Sequence, residues 1–342
     1  MMLTAALAVL AALAASAPSA ASERLAFADE FDTLDDNKWG HMVSAWRGGN
    51  NEFQYYRNDR RNSYVRDGIL YLLPTLTADE YGEDFLYHGK LSYPGCNKEP
   101  CESQSGEEIV LPVQSARIST STQFSFRYGR LEVRARLPRG DWLWPAIWLY
   151  PQNEIYGGWP RSGEIDLMES RGNPDLVDDK GVNVGLKAVS STLHFGPAWN
   201  INGYPTTNYR NRLFDNLTLA DDFHVYTLDW SEKGFRFLVD GHLIGERPAP
   251  EGGFWKLGGF AGEDIWKGKA MAPFDQEFYI IMNVAVGGSF FGDLKNSPHP
   301  RPYDLSSGHA MRQFWEKKDW WKDTWQGERA ALQVDYVRVY QA

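Results

Sequence analysis

The chain has 342 residues, of which 43% are hydrophobic and 23% are charged, and these proportions are typical of a globular protein with a sizeable core. Its formal net charge is −10 and its pI is near 5.3, so a nucleic-acid duplex or an anionic membrane surface would repel it. We therefore exclude nucleic acid and membranes as partners, and we expect a monomer with a neutral ligand.

The first 21 residues have the pattern of a leader segment. An apolar stretch runs from Leu3 to Ala15, and small residues follow it up to Ala21. This pattern predicts a secretory signal peptide over residues 1–21, although no Lys or Arg precedes the apolar stretch. The stretch is shorter than the roughly 20 residues that a membrane-spanning helix needs. We therefore expect a secreted, extracellular protein whose mature part is residues 22–342.

Cys96 and Cys101 are the two cysteines, in a loop rich in Pro, Gly and Ser. In an exported protein a local disulfide is the favoured state of such a pair. A metal-binding pair remains open, although no His or further Cys lies nearby to complete a zinc shell. Farther along, Asn216-Leu217-Thr218 is a glycosylation sequon, which carries a glycan only in a host that glycosylates.

Apolar and charged residues alternate over residues 130–137, the period of two that is typical of a half-buried strand. The next segment, residues 142–150, is apolar on both faces, but the two faces differ. As a strand it places Leu143, Ile147 and Leu149 on one face and four aromatic residues with one alanine on the other: Trp142, Trp144, Ala146, Trp148 and Tyr150. The aromatic face is predicted to contact a ligand, because aromatic rings stack on flat apolar surfaces such as the C–H faces of sugars.

Three acids follow within six residues, in the run Gly163 to Ser170 that reads GEIDLMES. Side chains of a strand alternate in direction, so Glu164 and Asp166 share a face, whereas strict alternation turns Glu169 to the other. A β-bulge near Leu167-Met168 would return Glu169 to the face of the other two acids. Crowded carboxyls raise one another's pKa values, and retaining glycoside hydrolysis needs one ionised and one protonated carboxyl close together.

The rest of the chain predicts further strands. Residues 226–230 and 235–239 alternate, the second run leads into the hairpin turn Asp240-Gly241, and residues 333–340 close with another strand-like pattern. Residues 308–325 predict one or two short helices, while residues 77–111 and 173–184 are expected to be loop insertions. Strands at this spacing, with Gly and Pro between them, predict an all-β, antiparallel β-sandwich without an interdomain linker.

DWLWPAIWLYP followed by PRSGEIDLMES resembles the signature of glycoside hydrolase family 16, and most closely that of its laminarinase-like branch. The resemblance continues over nearly the whole mature chain, in five further stretches: residues 27–32, 50–56, 115–120, 271–288 and 334–340. It implies a single catalytic domain over residues 22–342, with a jelly-roll sandwich and a concave substrate cleft. The implied activity is that of a retaining endo-β-1,3-glucanase acting on β-1,3-glucan, with no cofactor for catalysis.

The resemblance also implies roles for individual residues. Glu164 matches the nucleophile, Glu169 the general acid and base, and Asp166 the residue that holds the nucleophile. Five further residues match substrate contacts: Trp144 and Trp148, which stack on sugar near the cleaved bond, and Asn51, Arg117 and His194, which hydrogen-bond the glucan on its non-reducing side. For Arg117 a simple ion pair, and for His194 a satisfied strand histidine, remain open.

A structural calcium ion on the side away from the cleft is a further implication of the resemblance. Glu30, the carbonyl group of Gly68 and Asp335 match its ligands. Oxygen ligands of this kind suit calcium and not zinc.

Two rival functions remain open from the sequence. One is a non-catalytic β-1,3-glucan recognition protein, since many relatives in this branch have lost one or both glutamates. Retention of all three acids, and the absence of an additional glucan-binding domain ahead of the catalytic one, favour the enzyme. The other rival is a sibling specificity, such as that of a mixed-linkage β-1,3(4)-glucanase or of an enzyme that acts on a galactan. The spacing between Asp166 and Glu169 disfavours the lichenase and xyloglucan-transferase pattern, in which it is one residue shorter.

Overall fold

The structure is a computed structural model that describes residues 23–212 and 217–342. The predicted signal peptide and Asn216 of the sequon lie outside the described residues. In chain order the strands are β1 Arg24–Asp29, β2 Gly40–His41, β3 Gln54–Tyr56, β4 Ser63–Arg66, β5 Ile69–Leu72, β6 Thr75–Leu76, β7 Lys90–Ser92, β8 Glu102–Gln104, β9 Val113–Ser115, β10 Arg117–Ser119, β11 Gly129–Arg136, β12 Leu143–Pro151, β13 Glu164–Glu169, β14 Leu176–Val177, β15 Ala188–His194, β16 Asn208–Arg212, β17 His224–Ser231, β18 Gly234–Val239, β19 His242–Pro248, β20 Phe278–Val286, β21 Lys295–Asn296 and β22 Leu332–Gln341.

Helices are short and few in these residues. They are α1 Thr77–Tyr81, α2 Glu83–His88, α3 Gly253–Leu257 and α4 Ala310–Glu316, together with 3₁₀ turns at Tyr204–Thr206, Ser289–Phe291, Lys318–Trp320, Lys322–Thr324 and Gly327–Ala330. Among the described residues, no helix is long and apolar enough to cross a membrane.

Two antiparallel sheets form the body of the molecule. In the first, the strand order is β19-β18-β17-β11-β22-β5-β4, and β1 pairs with β22; in the second it is β16-β15-β13-β12-β20-β10-β2. Apolar side chains from both sheets meet in one core, where Trp230 of β17 contacts Phe278 of β20 with ring centroids 5.4 Å apart. The predicted antiparallel sandwich is confirmed.

The alternating runs form the strands predicted for them. In β11, Leu131, Val133 and Ala135 are fully buried, while the charged residues between them are half-buried. The hairpin at Asp240-Gly241 is also confirmed, because Val239 pairs with His242 across a two-residue turn in which both φ angles are positive.

Part of the segment expected to be a loop insertion has regular structure. Residues 77–111 contain α1, α2, β7 and β8, and residues 173–184 contain β14. Thr77 fixes the first helix, because its Oγ1 donates a hydrogen bond to the carbonyl group of Leu111 and its N–H donates to Pro112. These helices have five or six residues, which is too short for an apolar period to show in the sequence.

The cysteine loop is closed by a disulfide between Cys96 and Cys101, with Cα atoms 5.7 Å apart. The predicted disulfide is confirmed, and the metal-pair alternative falls away. The Tyr55 hydroxyl donates a hydrogen bond to the carbonyl group of Cys101, which ties this loop to β3.

Candidate active site

Strand β12 carries the aromatic face that the sequence predicts. Trp144, Trp148 and Tyr150 are half-buried on the face turned away from the core, whereas Leu143, Ile147 and Leu149 are fully buried. We call this outer face of the second sheet the site face.

Trp142 is not on the site face, so that part of the prediction is wrong. The residue precedes β12, has a φ of 69°, and is only 1% exposed. Its ring packs edge-on against Phe291 and Tyr303, and its backbone N–H donates a hydrogen bond to Asn173 Oδ1. The positive φ breaks the alternation that would have aligned it with Trp144.

The bulge predicted in β13 is present. Trp148 lies opposite Asp166 and Ile147 opposite Met168, which leaves Leu167 without a partner on β12. Leu167 and Met168 are consecutive and both are buried in the core, so Glu169 returns to the site face opposite Ala146. All three acids therefore share one face of the sheet, as predicted.

Gly163 fixes the start of this strand. Its φ is +82°, and a Cβ atom there would lie 2.8 Å from the ring of Phe274. Because a side chain is excluded on both counts, the backbone enters β13 close against the core, and Glu164 is the first residue to project onto the site face.

Each acid has a neighbour that is specific to it. Trp144 Nε1 donates a 3.0 Å hydrogen bond to Glu169 Oε1. On the neighbouring strand β15, His194 Nε2 lies 3.2 Å from Asp166 Oδ2 and 3.8 Å from Glu164 Oε1. The imidazole therefore faces two of the carboxyls and the indole faces the third.

Burial raises the pKa of all three acids. The pKa of Glu164 rises to about 8 and that of Asp166 to about 8, and for Glu164 the charge of Asp166 adds to the effect of burial. The pKa of Glu169 rises to about 7, because burial and the charge of Asp166 outweigh the opposing effects of nearby groups, among them the N–H from Trp144. Near neutral pH the three acids together therefore hold protons that exposed carboxyls would have lost.

Trp148 is held from two sides. Its Nε1 donates a 2.7 Å hydrogen bond to Asn283 Oδ1, and the Asn283 amide donates to the Tyr56 hydroxyl. The guanidinium of Arg117 lies 4.6 Å from the centre of the Trp148 ring. Arg117 thus makes a cation–π contact on the site face.

Trp144 belongs to a stack of three groups. Its ring lies parallel to that of Phe290, with centroids 4.0 Å apart, and the Arg171 guanidinium covers Phe290 at 3.9 Å. Arg171 also donates a hydrogen bond to the carbonyl group of Phe290. This stack covers one face of the Trp144 ring and fixes the direction of its N–H.

Asn51 is exposed, with a φ of 56°, in a turn that packs against the loop leading into Phe290. Ser289 N–H donates to the carbonyl group of Asn50, and the Arg47 guanidinium donates to the carbonyl group of Asn51. Asn51 therefore lies beside the Trp144 end of the site face.

His194 lies on the other side of the acids from Arg117. In the sheet order, β15 with His194 is next to β13 on one side, whereas β12 and β20 separate β13 from β10 with Arg117. The fold therefore places the strands of His194 and Arg117 on opposite sides of β13. The contact of both residues with the non-reducing side of the glucan stays a prediction.

Two aromatic rings flank His194. Tyr204 stacks on the imidazole at 5.2 Å and Trp159 lies on it at 5.7 Å, and the two residues are 43% and 38% exposed. We call Trp159, His194 and Tyr204 the aromatic platform. It extends the site face past the nucleophile candidate, on the side away from Arg117.

One cluster of side chains in the site has the spacing of metal ligands. Among the described residues, one set of three His, Cys, Asp or Glu side chains is close enough to share an ion: atoms of Glu164, Asp166 and His194 all lie within 4.8 Å of one another. The same spacing suits carboxyls that share a proton.

The oxygens of the expected calcium site have the right chemistry, but both carboxylates are paired with arginines. Arg338 donates to both oxygens of Glu30 at 2.8 Å, and Arg134 donates to Asp335 Oδ2 at 2.5 Å. Gly68 lies in the turn between β4 and β5, and β5 pairs with β22 beside Asp335. Two carboxylates and a carbonyl group fit a calcium ion, which would have to compete with these arginines.

Several residues of the site were not singled out from the sequence. Three of them position the tryptophans: Asn283 contacts Trp148, and Phe290 with Arg171 supports Trp144. The other two, Trp159 and Tyr204, pack against His194. Only Trp159 carries a local signal, since it stands five residues before Glu164 in a run rich in Gly and Pro.

Comparisons with known proteins identify the family of the chain. The sequence model described as Glycosyl hydrolases family 16 matches residues 94–253. The chain is 44% identical to a "Beta-1,3-glucan-binding protein" of Penaeus monodon, over 92% of this chain and 90% of that protein. It is 32% identical to a "Glucan endo-1,3-beta-glucosidase" of Cryptopygus antarcticus, over 92% of this chain and 91% of that protein.

A solved structure has the same fold. The laminarinase from Rhodothermus marinus is 30% identical and superimposes with a TM-score of 0.59, over 93% of this chain and 97% of that one. Since two relatives exceed 30% identity over about nine tenths of this chain and of their own length, the chain belongs to glycosyl hydrolase family 16.

Proposed function

We propose that this protein is a retaining endo-β-1,3-glucanase that is secreted and hydrolyses β-1,3-glucan. The observation that carries the proposal is the bulge in β13, because it sets Glu164, Asp166 and Glu169 on one face beside Trp144 and Trp148. A glucan-binding protein needs the aromatic rings but has no use for three buried acids, whose ionisation burial disfavours.

In the proposed reaction, Glu164 attacks the anomeric carbon while Glu169 protonates the departing oxygen; Glu169 then removes a proton from the water that releases the sugar. The raised pKa of Glu169 keeps this acid protonated below about pH 7.

Glu164 must be ionised, although burial raises its pKa as well. Glu164 and Asp166 are close enough to titrate as a pair, and the more deeply buried Asp166, 3% exposed, is the better place for the proton of that pair. With Asp166 neutral, Glu164 carries the negative charge.

The test is the release of reducing ends from laminarin by purified protein. We expect hydrolysis by the unmodified chain and a loss of several orders of magnitude in Glu164→Gln, with laminarin binding largely kept. Glu246→Gln is the matched control, because Glu246 is exposed on β19 of the other sheet. Equal activity in Glu164→Gln and the unmodified protein would remove Glu164 from the mechanism.

A second candidate is a non-catalytic glucan-recognition protein, which is favoured by the 44% identity to the "Beta-1,3-glucan-binding protein" of Penaeus monodon. Tight laminarin binding by the unmodified protein without new reducing ends would establish that function. Faster release of reducing ends from mixed-linkage β-1,3(4)-glucan than from laminarin would instead identify a mixed-linkage enzyme.

A further inference from the structure

Asn202 fixes the orientation of its own side-chain amide. Its Oδ1 accepts hydrogen bonds from two backbone donors, Phe195 N–H at 3.3 Å and Tyr204 N–H at 3.1 Å. Reversing the amide would set its NH₂ group against both donors. The Nδ2 group therefore points in one direction, which is toward His194.

The amide in turn determines which nitrogen of His194 carries hydrogen. Asn202 Nδ2 lies 2.9 Å from His194 Nδ1. Since Nδ2 is a donor, Nδ1 must accept with its lone pair, and the hydrogen of the neutral ring is on Nε2. An imidazolium would carry a second hydrogen on Nδ1, facing the hydrogens of the amide.

The Nε2 hydrogen faces the acids. Nε2 lies 3.2 Å from Asp166 Oδ2 and 3.8 Å from Glu164 Oε1. Asp166 Oδ2 is buried and has no hydrogen-bond partner among the described residues, so the 3.2 Å approach of Nε2 is a close contact that does not yet have hydrogen-bond geometry. Contacts of this length between catalytic groups tighten when substrate binds.

We propose that Asn202 is a positioning residue that holds His194 as the neutral Nε2–H tautomer, so that His194 donates to Asp166 beside the nucleophile once substrate binding tightens their 3.2 Å contact. With Oδ2 accepting this hydrogen, the proton of Asp166 is placed on its other oxygen. A protonated Nε2 has no lone pair for a metal, so the cluster of Glu164, Asp166 and His194 serves proton placement. The tautomer follows from the geometry alone, whereas its catalytic use rests on the function proposed above.

The direct test is long-range ¹H–¹⁵N NMR of the full chain with ¹⁵N-labelled histidine at neutral pH, with His194 assigned by the signals lost in His194→Gln. We expect a nitrogen without hydrogen at Nδ1 and one with hydrogen at Nε2. In Asn202→Asp the carboxylate accepts from Nδ1, so both nitrogens are expected to carry hydrogen. A protonated Nδ1 in the unmodified protein would overturn the proposal.

Kinetics on laminarin separate positioning from folding. We expect Asn202→Asp to lower kcat about tenfold or more while KM changes less than about twofold, because Asn202 acts on the acids through His194. Asn208→Asp is the matched control. Asn208 lies on β16, and its side-chain amide donates a hydrogen bond to Thr192, which is on the same strand as His194. An unchanged kcat in Asn202→Asp would overturn the proposed catalytic use of the tautomer. If the unmodified protein shows the expected tautomer but releases no reducing ends from laminarin, the proposed function alone is refuted.

Discussion

Trp144 serves the site through two different parts of its side chain. Its ring packs on Phe290, and its N–H donates to Glu169. A hydrogen bond donated to a carboxyl stabilises the ionised form, so it lowers the pKa that burial raises. The pKa of the proposed acid is thus the result of opposing effects, one of which a single substitution removes.

Trp144→Phe should move the alkaline limb of kcat/KM for laminarin to higher pH. Phenylalanine keeps an aromatic ring on Phe290 but removes the N–H, so the pKa of Glu169 rises above about 7 and the acid stays protonated longer. We expect a shift of about 0.5–1 pH unit, the effect of about 1 kcal/mol. Trp148→Phe is the control, since its N–H bonds to Asn283. A limb that moves to lower pH, or an equal shift in both variants, would contradict this role.

At the residue scale, the sequence was sufficient for the acids and not for the residues that orient them. Glu164, Asp166 and Glu169 are near neighbours, so strand alternation plus one bulge predicts their common face. Asn202 and Phe290 lie 33 or more residues away from the acids and reach them only through the pairing of β15 and the loop after β20. No local pattern encodes such contacts.

The order of strands decides which residues meet the same part of a ligand. Arg117 and the aromatic platform lie on opposite sides of β13, so the platform is placed to contact the sugar on the side of the cleaved bond away from Arg117.

Trp159→Ala and Tyr204→Ala should each weaken productive laminarin binding. Loss of about 1 kcal/mol of ring contact predicts a KM that rises about three- to tenfold, with a smaller change in kcat. Leu243→Ala, which truncates an exposed apolar side chain on β19 of the other sheet, is the control. An unchanged KM in both platform variants would show that the platform does not bind glucan.

The calcium site remains a proposal that chelation can test. We expect added calcium to raise the melting temperature of chelator-treated protein by a few degrees, because an ion that binds only the folded state stabilises it. The Asp335→Asn variant should lose this response. If the melting temperature of the unmodified protein is the same with calcium and with chelator, then Glu30 and Asp335 serve only their arginine partners.

At the element scale, the strands were predictable and the short helices were not. Residues 130–137 alternate over eight positions, which is long enough to identify a strand and its buried face. Helices α1 and α2 have one to two turns each and are fixed by contacts such as that of Thr77 with Leu111. Trp142 was placed on the wrong face because a single positive φ ends the alternation ahead of β12.

Across the whole molecule, the buried acids lower stability as the pH rises. Each has a raised pKa in the folded state, so folding takes up protons between the unfolded pKa values of 3.8 for Asp166 and 4.5 for the two glutamates and the folded values of about 7 to 8. Their unfavourable contribution is absent at low pH and grows as the pH rises through that window. The three buried carboxyls thus destabilise the fold at neutral and alkaline pH.

Glu164→Gln should therefore melt at a higher temperature than the unmodified protein at pH 8, by about 2–4 °C, and at nearly the same temperature at pH 5. The neutral amide has a similar shape and carries no charge to bury. Melting curves of both proteins and of Glu246→Gln across this range provide the measurement. A difference that is largest at pH 5 would contradict the sign of the effect.

The central claim is that Glu164 attacks sugar while Glu169 first donates and then removes a proton, and the configuration of the newly formed reducing end tests it most directly. ¹H NMR of laminarin during the first minutes of hydrolysis shows whether the β or the α anomer forms first. Two displacements at the anomeric carbon predict the β anomer, which later equilibrates with the α form. Initial appearance of the α anomer would show a single displacement by water and would contradict the assignment of Glu164 as nucleophile.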